Sequence, residues 1–273
     1  MTRSNLRDLT GPEGRSAFGA DAANYDSARP PYPGWVFARL EADCGLAPGA
    51  RVFEIGPGTG QATARLLAAG ANPLVAIEPD ARLAAYLADK LGRHDGLQVV
   101  NAAFEDAALA PQSFDLGTAA TAFHWLDQRA ALAKVAGALR PGGWWAAWWN
   151  VFGDPDRPDD FHDATDGLLN GFADTPSHHA GQAHPFGIDA EARLADIDAV
   201  GAFERAACDI RKWTLTLTTD ETRALYASFS QFSVLEPDER TRLLDALAEI
   251  AQTKFAGRVE RNMCTALYTA RRR

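Results

Sequence analysis

The segment Val52-Phe53-Glu54-Ile55-Gly56-Pro57-Gly58-Thr59-Gly60 constrains this chain more than any other, because it reads as an apolar strand that runs through a glycine turn into a helix. Val52, Phe53 and Ile55 give the pattern of a buried strand. Gly56, Gly58 and Gly60 allow a sharp turn and let a ligand approach the backbone without meeting a Cβ. Gln61 to Ala69 follows as a helix-forming run that Gly70 closes. Pro73 to Glu78 is a second apolar strand ending in an acid about twenty residues after the loop, the separation at which a carboxylate can accept ribose hydroxyls. The alternation continues. Asp80 is placed to cap a helix carrying Leu83, Leu87 and Leu91 and closed by Gly92. Leu97 to Val100 make a third strand, Phe114-Asp115-Leu116 open a fourth that runs to Thr121-Ala122-Phe123-His124-Trp125, and Gln128 to Leu139 form the next helix. Strand and helix repeated in this way predict a parallel sheet with helices on both faces.

Trp144-Trp145-Ala146-Ala147-Trp148-Trp149 is expected as the fifth strand, apolar throughout as a strand covered on both faces should be. Most of its tryptophans therefore belong to the core. Trp149 and Asn150, at its C-terminal end, lie where open α/β sheets bind ligands. Ahead of the first strand, Trp35, Val36, Arg39 and Leu40 fall at helical spacing after Pro33.

The glycine spacing discriminates between ligands. A dinucleotide loop runs G-x-G-x-x-G with the helix N-terminus aimed at a pyrophosphate; here the third glycine comes one residue early and Glu54 precedes the first. A carboxylate at that point repels a phosphate and attracts an ammonium group. Glu54-x-Gly56-x-Gly58-x-Gly60 resembles the first motif of class I S-adenosylmethionine-dependent methyltransferases, and Leu139-Arg140-Pro141-Gly142-Gly143 is similar to the turn that family has before its fifth strand. Phe18 and Tyr25 with Arg29-Pro30-Pro31-Tyr32-Pro33, together with the Phe123-His124-Trp125 run, resemble a small-molecule subgroup that includes trans-aconitate methyltransferase-like proteins. The likeness covers residues 18 to 150 well and the remainder in outline.

The resemblance implies an α/β Rossmann-like, doubly wound sheet of seven strands, mostly parallel with a reversed last strand, plus a helical cap. It implies S-adenosylmethionine as the cofactor, with the backbone of Gly56, Pro57, Gly58, Thr59 and Gly60 under its methionine part, Glu54 toward its ammonium and Glu78 on both ribose hydroxyls. Ala103, Phe104 and Glu105 occupy the stretch that contacts adenine in the family; many members have Asp where this chain has Ala103, so backbone groups, Glu105 or Asp106 and stacking on Phe104 are left to hold the ring. Tyr25 and Arg29 close on the carboxylate end of the cofactor or, in the other reading, Arg29 anchors the arm by surface pairs. Thr121 would line the gap between donor methyl and acceptor, and His124, Trp125, Trp149 and Asn150 are the residues expected on the acceptor side. His124 is there either a base or a group that positions the acceptor.

Residues 1–20 are expected to form a flexible arm, 21–150 the cofactor-binding core, 151–187 an insertion or lid, and 188–273 the end of the sheet with cap helices from about 219 to 256. Thr218-x-x-Glu221 has the form of a capping box, and Pro237 to Ala256 is an amphipathic run stopped by Gly257. Phe203 to Leu217 and Val259 to Thr269 read as the late strands. His162, His178, His179 and His184 stand near several Asp, but their spacing matches no recurring ligand pattern, and no metal is expected. Cys44, Cys208 and Cys264 are far apart and read as small apolar groups.

A net charge of −9 argues against nucleic acid as partner, since a phosphate backbone selects clustered Lys and Arg. No apolar run approaches a membrane span and the N-terminus lacks a secretory pattern, so a cytoplasmic protein acting on a small molecule, as monomer or homodimer, is the expectation. Two other functions stand beside methyl transfer: an NAD-dependent oxidoreductase, favoured by Glu78 and opposed by the glycine spacing, and a catalytically silent cofactor-binding protein.

Overall fold

The computed structural model describes residues 19, 21–169, 177 and 184–273. Phe18, His178 and His179, and most of the expected N-terminal arm, lie outside the described residues. The chain divides into two compact units. The larger takes Pro31–Asn150, Phe186–Arg211 and Thr265–Arg273; the smaller takes the chain up to Pro30, Val151–Pro185 and Lys212–Cys264.

The larger unit carries the sheet's parallel half. Its strands are β1 (Val52–Ile55), β2 (Leu74–Glu78), β3 (Leu97–Asn101), β4 (Phe114–Ala120) and β5 (Leu139–Phe152). With β6 (Phe203–Thr218) and β7 (Arg258–Arg272), which each have residues in both units, they form one seven-stranded sheet in the order β3-β2-β1-β4-β5-β7-β6. The pairs β1–β2, β1–β4, β2–β3 and β4–β5 are parallel. The chain order therefore reverses at β1, between β2 and β4, and at such a switch point an α/β sheet opens a crevice beyond its strand ends. Glu54 and Glu78 are at those ends.

Helices α2 (Gly34–Asp43), α3 (Gln61–Ala68), α4 (Ala81–Leu91) and α5 (Gln128–Ala138) start where the sequence predicts or within a residue of it, and α1 (Ala22–Ala28) is a helix the sequence reading did not include. Asp80 caps α4 by accepting from the Arg82 N–H, and Asp127 caps α5 by accepting from that of Ala130. Leu66 of α3, Leu87 of α4 and Val36 and Leu40 of α2 pack with Val52, Leu74, Leu116 and Trp148 into one apolar cluster. Arg39 pairs with Asp209 and the Arg211 guanidinium lies 4.4 Å from the centre of the Trp35 ring, which ties α2 to β6. The fifth strand begins earlier than its tryptophans: Leu139 through Gly143 are already extended, with an irregularity in pairing between Phe114 and Leu116.

In the smaller unit, α6 (Asp160–Leu169), α8 (Thr219–Ala227), α9 (Ser230–Ser233) and α10 (Pro237–Phe255) surround Phe161, Leu225, Tyr226, Phe232 and Leu247; α7 (Ala190–Ala199), capped by Asp189, belongs to the larger unit. The Thr218–Glu221 capping box forms in full at the start of α8. Arg261, buried, donates to Asp159 at 3.0 Å and to the Tyr226 hydroxyl, so its charge is paired on two sides within this core.

Candidate functional site

The glycine turn is built by conformation first. Gly56, Gly58 and Gly60 have φ of 62, 57 and 84°, the left-handed region that other residues enter at a cost. A Cβ on Gly56 would stand 2.6 Å from the Ala122 side chain, so the turn is pressed against the loop after β4. At Gly58 a Cβ would meet nothing within 4 Å. That open space above the backbone is the cradle a ligand needs.

Two acids border it. Glu54, fully buried, accepts from the Thr63 hydroxyl at 2.6 Å through Oε2, while its Oε1 is buried without a partner. An isolated buried carboxylate oxygen is costly, and burial pushes the Glu54 carboxyl up to about 7 against the opposing pull of Thr63, with Glu78 adding repulsion. Glu78 accepts from the Gly58 N–H through Oε2 and from the Asp80 N–H through Oε1, each at 3.0 Å. Burial still raises it to about 7. Each Glu78 oxygen keeps a further lone pair. Asn101, across from Glu78 in the β2–β3 register, donates to the Glu78 and Pro79 carbonyls and fixes the strand end.

The stretch after β3 turns inward at its middle. Ala103 O accepts from the backbone of Asp106 and Ala107, closing a turn. Phe104 stacks on Phe53 at 6.3 Å between ring centres and is 3% exposed, so it packs into the core rather than presenting a face to a base as expected. Glu105 is exposed, and its carbonyl accepts from Lys134.

Beyond β4 the chain makes a strained corner. Thr121 has φ of 53°, an outlier for a β-branched residue, held by its N–H to the Trp148 carbonyl at 2.7 Å and by the Tyr32 hydroxyl donating to its Oγ1 at 3.0 Å. Phe123-His124-Trp125 then form one tight helical turn, braced by the Gln128 amide donating to the Phe123 and Leu126 carbonyls. His124 is buried; its Nδ1 accepts from the Trp149 indole at 3.0 Å, and its ring faces Trp125 and Phe186. Burial pushes its pKa down to about 3, so the imidazole is neutral. Trp149 also packs on Phe186 and Tyr268, and Asn150 accepts from Thr265 at 2.7 Å and donates to the Pro31 carbonyl.

Of the residues singled out from sequence, the structure gathers Glu54, Gly56, Pro57, Gly58, Thr59, Gly60 and Glu78 around the glycine turn, and Thr121, His124, Trp125, Trp149 and Asn150 at the ends of β4 and β5, all in one unit. Tyr25 and Arg29 belong to the smaller unit, where the Arg29 guanidinium lies 4.9 Å from the Tyr25 ring centre and 4.6 Å from that of Phe229 and donates to the Ser228 carbonyl. Thr63, Gln128, Phe186 and Tyr268 were not singled out. Thr63 alone had a local signal, one helical turn past the glycines. Among the described residues no His, Cys, Asp and Glu cluster has a geometry to hold a metal, and no helix is long and apolar enough to cross a membrane.

Comparison with known proteins bears on the fold that carries these residues. The family of methyltransferase domains matches residues 53–147. An uncharacterized methyltransferase of Mycobacterium tuberculosis is 35% identical over 137 residues, which is 50% of this chain and 52% of the relative. The chain thus spans about half the length of the curated relatives first matched. Among solved structures, the phosphoethanolamine N-methyltransferase 2 of Haemonchus contortus, in complex with S-adenosylhomocysteine, superposes with a TM-score of 0.58 at 12% identity over 98% of this chain and 60% of that one. The 4+2 cyclase SpnF gives a TM-score of 0.58 at 16% identity over 98% and 97%. At these identities the superpositions establish the fold.

Proposed function

We propose that this chain, whose residues 53–147 form a methyltransferase domain, transfers a methyl group from S-adenosylmethionine to an oxygen, carboxylate or hydroxyl, of a small molecule in the cytoplasm, as monomer or homodimer. The observation that carries the reading is the buried Oε1 of Glu54, which has no partner among the described residues and stands on the strand that leads into the open turn at Gly58. A carboxylate so placed asks for a cation, and the donor's amino-acid end supplies an ammonium. Glu78, with a lone pair left on each oxygen, is the acceptor for vicinal ribose hydroxyls, and Ala103 with Glu105 forms the edge on which adenine would rest. The donor, when bound, supplies a methyl carbon already activated by a sulfonium, so the protein's part is alignment and exclusion of water. The buried aromatic ring of Trp149 and the turn at Thr121 to Trp125 serve that part on the acceptor side.

The glycine spacing and Glu54 count against NAD, because the buried carboxylate would face a pyrophosphate. A small acceptor rather than nucleic acid is supported by the net charge of −9. A pocket turned to chemistry other than methyl transfer is the remaining alternative. Titration calorimetry separates these readings: S-adenosylhomocysteine should bind and NAD should not. Turnover of labelled donor over a panel of metabolite acids and alcohols then separates methyl transfer from a silent or repurposed site.

A further inference from the structure

The donor half of the site leaves the role of His124 open, and the hydrogen bond to Trp149 decides it. An indole N–H can only donate, so His124 Nδ1 is held as an acceptor, and a neutral ring with Nδ1 unprotonated carries its proton on Nε2. The surroundings oppose protonation of the ring. Trp125, Phe186 and Trp149 pack around it, and the Arg193 guanidinium lies 3.5 Å from the centre of the Phe186 ring. Nε2 has no hydrogen-bond partner among the described residues, and the residue keeps 9% of its surface exposed at the end of β4.

We infer that His124 acts on the acceptor as a fixed hydrogen-bond donor through Nε2–H, locked in that tautomer by Trp149, and does not take the acceptor's proton. The inference rests on the proposed methyl transfer and narrows its acceptors. An atom attacking the methyl must then bring a free lone pair at neutral pH, with an oxygen beside it to accept the Nε2–H, as a carboxylate does. In the step the acceptor's lone pair forms the new bond to carbon as the carbon–sulfur bond breaks with its pair remaining on sulfur. An anionic oxygen and a sulfonium become a neutral ester and a thioether, and no proton moves. Phenols and protonated amines, which must lose a proton, are disfavoured.

The test reads the imidazole itself. In full-length protein carrying isotope-labelled histidine, long-range proton–nitrogen correlation spectra report the tautomer of each ring, and the His124 signal is the one missing from His124→Asn protein. The expected result is a single Nε2–H tautomer, neutral from about pH 8 down to about pH 5. Trp149→Phe, which removes the indole donor and keeps the ring, should bring in the Nδ1–H tautomer while S-adenosylhomocysteine affinity stays within about twofold. An Nδ1–H tautomer in the parent protein, or a ring that protonates within that range, overturns the inference. The parent spectrum decides the matter even if Trp149→Phe fails to fold. Failure of S-adenosylhomocysteine to bind the parent protein would sink the methyl-transfer reading instead and leave the tautomer as measured. On an identified acceptor, His124→Gln, whose amide can donate but cannot act as a base, should retain turnover within about tenfold where His124→Leu loses it.

Discussion

The ends of β1 and β2 and the ends of β4 and β5 share one edge of the sheet, yet they bury polarity in opposite ways. At the first, Glu54 and Glu78 are buried acids held near neutrality in their pKa, and one carboxylate oxygen has no partner. At the second, Trp149 donates to His124 and Thr265 donates to Asn150 through neutral hydrogen bonds, which leave only His124 Nε2 over on that ring. On the proposed reading a cation would complete the first half, while the second holds its rings in place by neutral hydrogen bonds before any ligand binds. The difference teaches how the two reactants would be treated on the proposed reading: the donor would be bound through charge that the protein keeps at a cost, and the acceptor would be placed by a rigid aromatic frame. Substitutions on the two sides should therefore separate cleanly in what they change.

The largest effect is expected at Glu78. Replacing it with Ala removes the acceptor for two ribose hydroxyls and leaves the Gly58 and Asp80 N–H groups unpaired. Hydrogen bonds to a charged group contribute about 1.5 to 3 kcal/mol each, so S-adenosylhomocysteine affinity should fall about 100-fold or more by calorimetry. A loss under about fivefold would remove Glu78 from the donor side of the comparison.

Glu54→Gln sharpens the comparison by moving affinity and stability in opposite directions. Affinity for the donor should drop about tenfold with the loss of one charge pair. Stability of the ligand-free protein should rise at pH 8. The unfolded carboxyl titrates at its ordinary value of 4.5 and the folded one at about 7, so the native state holds the extra proton between them. Parent stability accordingly falls as pH rises from about 4.5 to about 7 and levels above it, and the substitution should flatten that slope by about 1 to 3 kcal/mol in denaturant titrations. An unchanged pH profile would mean that Glu54 is ionised without penalty.

Gly58→Ala tests the cradle. The residue has room for a Cβ but sits at φ of 57°, so strain alone predicts about 1 kcal/mol of lost stability, with the protein still folded. Because the methyl group enters the space above the turn, donor affinity should fall more than strain explains, by about tenfold. Equal affinity would show that nothing binds over this stretch.

Much of the donor half was legible in the sequence because its signals are local. A strand, three glycines, an acid and a capped helix lie within one short run of chain, and the caps at Asp80 and Thr218 each need only the next three residues. The acceptor half was legible only in part. His124, Trp149 and Asn150 could be placed at strand ends, but Phe186 and Tyr268 come from distant segments with no pattern pointing to them. Phe104 illustrates the converse failure. Its position after β3 suggested a stacking face, and Phe53, itself packed on Phe114 in the core, claimed the ring instead. For Tyr25 and Arg29 the local sequence could not show their surroundings, because Phe229 and Ser228, which Arg29 meets, are about two hundred residues on.

The smallest effect belongs to Thr121, where opposing contributions nearly cancel. Glycine at this position would relieve the left-handed strain of a β-branched residue, which costs about 1 to 3 kcal/mol. It would also lose the hydrogen bond from the Tyr32 hydroxyl, about 1 kcal/mol, and add freedom to the unfolded chain worth about 0.4 to 1 kcal/mol. Thr121→Gly should thus leave stability within about 1 kcal/mol of the parent by denaturant titration, although the corner between β4 and the His124 turn is rebuilt. If the corner serves to aim that turn, the substitution should loosen His124, seen as exchange between its two tautomers, without a matching loss of stability. If stability instead falls by more than about 2 kcal/mol and the tautomer stays single, the strain at Thr121 is balanced by packing alone and the acceptor half is less rigid in design than the comparison holds.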